Sequence, residues 1–65
     1  MSAIVARFLI FKEPRLDIEH AEALIEDYYR RPYSKRFDCI YVKPSVITEE
    51  AYELLKKERI AVGFI

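Results

Sequence analysis

Residues 3–11, AIVARFLIF, are apolar at both alternating parities. Ile4, Ala6, Phe8 and Ile10 occupy one, and Val5, Leu9 and Phe11 the other, with Arg7 as the exception. A short run rich in β-branched and aromatic residues with this pattern reads as a strand covered on both sides. Pro14 punctuates the segment that follows.

Residues 17–31 change period. Ile18, Ala21, Leu24, Ile25, Tyr28 and Tyr29 recur at helical spacing, with Glu19, Glu22, Glu26 and Asp27 opposite. Asp17 is placed to cap the N-terminus, and Pro32 predicts a stop at Arg31.

A second strand is predicted over 37–43, FDCIYVK, ended by Pro44. A second helix follows over 48–59. Thr48 is its cap, Glu49 and Glu50 lie at its positive end, and Lys56, Lys57 and Arg59 at its negative end. Ile47 and Tyr52 fit the two positions of a hydrophobic staple. Residues 60–65, IAVGFI, form an uncharged third strand.

The whole chain, residues 1–65, therefore reads as one small β-α-β-α-β domain of the α/β class. Its three-stranded sheet is expected to be mostly parallel, with two amphipathic helices. Strand one is the longest and most apolar, which favours a central position and the order 2-1-3, with helices on both faces. In the alternative order, 1-2-3, both helices share a face. Val5, Leu9, Phe11, Cys39 and Tyr41 are then expected on a bare sheet surface. In the first arrangement strand three is an unprotected edge, while Asp38 and Lys43 protect strand two.

Either arrangement predicts a homodimer, by edge pairing through Ile60, Val62, Phe64 and Ile65 or through an uncovered face. Length strengthens that expectation. A chain of 65 residues buries only about 60% of its unfolded surface. One cysteine excludes an internal disulfide, and one cysteine with one histidine cannot complete a tetrahedral metal site. Neither a metal nor a cofactor is expected.

Eleven basic side chains balance eleven acidic ones, so the total charge does not favour a nucleic-acid binder. Local asymmetry does. Arg30, Arg31, Lys35, Arg36, Lys56, Lys57 and Arg59 are expected at the pole where both helices end, with Tyr28, Tyr29 and Tyr33 nearby for base stacking. The residues assigned to a DNA- or RNA-binding rim are Arg30, Arg31, Tyr33, Lys35, Arg36, Lys57 and Arg59. Cations near helix C-termini are also stabilising by themselves, and Tyr28 and Tyr29 fit the apolar stripe. The solvated rim is thus the competing account.

At the other pole, Lys12, Arg15 and Lys43 surround the helix N-termini, where open α/β sheets bind ligands, and form a candidate anion site. No glycine-rich loop supports it, and Asp17, Glu49 and Glu50 oppose an anion. His20, Cys39, Ser34 and Ser45 assemble into no catalytic set. Arg7 is expected to pair with a carboxylate such as Asp38.

The longest apolar run falls short of the ~20 residues of a membrane span and lacks the flanks of an export leader, so a cytoplasmic protein is expected. The absence of Asn and Gln beside 34% charged residues predicts a thermophilic host. The expected role is a self-associating protein–protein interaction module. Nucleic-acid binding through the basic rim is the alternative, and an enzyme acting on a phosphate-bearing ligand comes third.

Overall fold

A computed structural model describes residues 7–65. The element order is β1 (Phe8–Ile10), α1 (Ile18–Arg30), β2 (Cys39–Val42), α2 (Glu49–Lys57) and β3 (Ala61–Phe64), with a single 3-10 turn at Tyr33–Lys35. Residues 3–6 of the predicted first strand lie outside the described residues.

All three strands are parallel, as the alternation of elements predicts, and their order is β1-β2-β3. This is the alternative of the two orders considered; the central position preferred for strand one belongs to β2. Asp38 and Lys43 therefore flank the middle strand instead of guarding an edge, and β3 is an edge beside it. Two successive crossovers of the same hand in a 1-2-3 sheet send both helices to one face. Accordingly α1 packs on α2, and both close over Ile40 and Val42.

The register decides which parity is covered. Leu9, Ile40 and Val62 align across the strands and belong to the helix-covered core. Phe8, Cys39 and Ala61 align on the opposite side, as do Ile10, Tyr41 and Gly63. Leu9 and Phe11, expected on the bare surface, instead pack against the core, while Cys39 and Tyr41 are on the open side as expected. Val5 lies outside the described residues. Arg7 does meet Asp38, but through its backbone amide, which donates to Asp38 Oδ2 at 3.1 Å; the Arg7 side chain is exposed.

Both helices begin as their caps dictate. Asp17 Oδ1 accepts from the His20 amide at 3.1 Å, and Thr48 Oγ1 from the Ala51 amide at 3.3 Å. The His20 amide, and then its ring Nδ1 at 2.8 Å, hold the Asp17 carboxyl below its ordinary value. That contribution is present at neutral pH and is lost as pH falls through the lowered value.

The end of α2 satisfies its orphan carbonyls in a Schellman arrangement. Ile60 N donates to Leu55 O at 3.0 Å and Arg59 N to Lys56 O at 2.9 Å. Arg59 takes φ 61°, a position that usually favours glycine, and the Ile60 and Leu55 side chains are both buried.

Three core residues, Leu16, Phe37 and Ile60, lie outside the helices and strands. Leu16 is fully buried, and its backbone is stitched to the segment after β2: Leu16 N donates to Val46 O at 2.8 Å, and Thr48 N to Leu16 O at 3.0 Å. The two connections that leave the C-terminal ends of β1 and β2 are thereby locked together.

Candidate functional site

Three regions carry the residues singled out in the sequence. The first is the sheet face opposite the helices. The strand residues on it are Phe8, Ile10, Cys39, Tyr41, Ala61 and Gly63, none of them charged. Phe8 is 58% exposed and Ile10 46%, and Ile65 continues the apolar row beyond β3.

The surface is levelled by one pairing. Tyr41 lies across Gly63 so closely that a Cβ built on the glycine would sit 2.5 Å from the tyrosine ring. Phe8 meets the same ring edge-on, with centroids 5.4 Å apart. An aromatic plate thus spans all three strands. A side chain at position 63 would have to displace the Tyr41 ring, so the glycine serves close approach and not a special backbone conformation.

The expected dimer residues divide between the faces. Ile60 is buried and Val62 packs with the core, so neither side chain is offered to a partner. Phe64 is half exposed and stacks on Tyr52 at 5.9 Å, while Ile65 stands on the open side.

The second region is the basic rim. The structure brings the two helix C-termini together, and Tyr29 Oη donates to Glu58 Oε1 at 3.2 Å across them. The accepting carboxylate raises the Tyr29 hydroxyl above its ordinary pKa. Several of the rim cations already have partners. Arg30 pairs with Glu26 at 2.7 Å and Arg31 with Asp27 at 3.0 Å, one helical turn away. Lys57 lies instead beside Glu49, Glu50 and Glu53 on the outer surface of α2. Tyr33, Lys35 and Arg59 are exposed.

Arg36 closes the end of α1. Its Nε donates to Tyr28 O at 3.1 Å and its Nη2 to Tyr29 O at 3.4 Å, two carbonyls in the last helical turn. Its guanidinium carbon also lies 5.2, 5.5 and 5.7 Å from the ring centres of Tyr28, Tyr29 and Tyr33. The Pro32 turn and the short 3-10 segment reverse the chain so that this contact forms. Arg36→Ala should therefore cost about 1–2 kcal/mol, a fall of roughly 5–15 °C in the melting temperature followed by circular dichroism. An unchanged melting temperature would show that the contact contributes nothing.

The third region is the C-terminal rim of the sheet. Lys12 and Lys43 line one cleft there, whereas Arg15 is exposed outside it. Among the described residues, no three His, Cys, Asp or Glu side chains are grouped to hold a metal ion, and no helix is long and apolar enough to cross a membrane.

No family model matches the chain, and no curated protein or solved structure matches it.

Proposed function

We propose that this chain is a self-associating protein–protein interaction module, and that its uncovered sheet face is the docking surface for a second copy. One observation carries the reading. All-parallel sheets occur almost only with both faces covered, yet among the described residues this one has helices on a single face and an uncharged aromatic plate on the other.

A second copy is the occupant best matched to that surface. The plate carries no charge for which a different partner would have to supply the opposite sign. A flat apolar face is complementary to itself across a twofold axis. The core of the described residues is a single layer of eight buried hydrophobic residues, and covering the plate adds the second layer that this small domain lacks. A cytoplasmic setting and a thermophilic host fit the same reading: Cys39 is a free thiol, and the sequence has no Asn or Gln.

The nucleic-acid reading of the opposite rim has less support. Arg30, Arg31 and Arg36 are engaged within the chain, although Arg30 and Arg31 stay exposed beside Tyr33, Lys35, Lys57 and Arg59.

Cys39 reports on the proposed contact, because it lies on the open face and is half-buried in the single chain. Its reaction with a thiol reagent should slow by about tenfold or more as protein concentration rises from nanomolar to tens of micromolar. A rate independent of concentration would contradict docking through this face.

A further inference from the structure

The cleft at the C-terminal rim has a volume of about 360 Å³, at the lower end of the range for small-molecule sites. Its position, outside the carboxyl ends of parallel strands, is where open α/β sheets bind ligands. Phe11, Pro14, Val46 and Ile65 form apolar walls.

Lys12 and Lys43 also line it. The β1–β2 ladder continues one step past the strands, where Phe11 N donates to Tyr41 O at 2.9 Å. Extending the Ile10–Tyr41 pairing by two residues sets the two lysines on neighbouring strand ends. Like charges opposite one another are unfavourable, and an anion between them relieves the repulsion.

We propose that this cleft binds a monocarboxylate with a short apolar tail. Two features select it over a phosphate. Glu13 lines the same cleft and disfavours a dianion. Several backbone amides at this rim that could serve a phosphate are already spent. Those of His20 and Ala51 bond the cap side chains, that of Leu16 bonds Val46 O, and that of Val46 bonds Lys43 O. Two ammonium groups beside apolar walls suit a carboxylate head with a hydrocarbon body. The cleft meets the edge of the open face, because Ile10 and Ile65 line both, while Phe11 and Val46 pack with the helix-covered core.

The test is an amide chemical-shift titration of the whole chain with hexanoate, alongside hexanol and inorganic phosphate. Hexanoate should produce saturable shifts at Phe11, Val46 and Ile65 with a dissociation constant of about 1 mM. Lys12→Gln and Lys43→Gln should each weaken binding by about tenfold, while the dispersed spectrum confirms that both variants are folded. Absence of saturable shifts at those amides would overturn the proposal. So would phosphate or hexanol binding as tightly as hexanoate, or affinity that ignores both lysines.

Discussion

Leu16→Ala is expected to lower stability by about 3 kcal/mol, which for a domain of this size is a fall of roughly 12–24 °C in melting temperature. The side chain is completely buried in the main cluster with Ile40, Val42 and Leu55. Collapse into the resulting cavity is hindered, because the Leu16 backbone is tied to Val46 O on one side and to Thr48 N on the other. Small domains have only about 5–15 kcal/mol in total, so the variant forfeits a large share. Thermal and urea unfolding followed by circular dichroism give the value. A loss under about 1 kcal/mol would mean that this connection is not part of the core.

That residue also marks where sequence reading stops. Leu16 stands between Pro14 and the Asp17 cap, in a stretch with no apolar period to place it. Its one legible signal was an apolar residue immediately before a helix cap, the position of a hydrophobic staple. The helices were legible nearly to the residue, because Asp17, Thr48 and Pro32 act locally.

Parallel direction was legible too, whereas strand order was not. Apolar residues at both parities of strand one describe a segment covered on both sides. They do not tell whether the cover is a helix of the same chain or another subunit. Placing strand one centrally assumed the former. The rim shows the same division: acids one turn before Arg30 and Arg31 can be read from spacing, but the three tyrosine rings around Arg36 meet it only after the chain reverses.

Phe8→Lys should abolish most self-association while leaving the single subunit folded. Phe8 is already more than half exposed, so the isolated domain loses little by the change. A twofold contact repeats the substitution on both subunits, which removes two aromatic side chains from burial and brings two ammonium groups into an apolar seam. Full burial of one phenylalanine is worth about 1.5–3 kcal/mol, and Phe8 is 58% exposed, so two predict roughly twenty- to three-hundredfold weaker association before the charges are counted. Circular dichroism of the dilute variant should match that of the unsubstituted chain. Association as strong as before would place the contact elsewhere, with the free edge of β3 as the first alternative.

Sedimentation equilibrium of the unsubstituted chain across the micromolar range weighs the particle directly. A species of twice the 7.8 kDa chain mass, dissociating only on dilution, is the predicted result. A single 7.8 kDa species at every concentration would contradict it, and the aromatic plate across the three strands would then be a surface that no second copy covers.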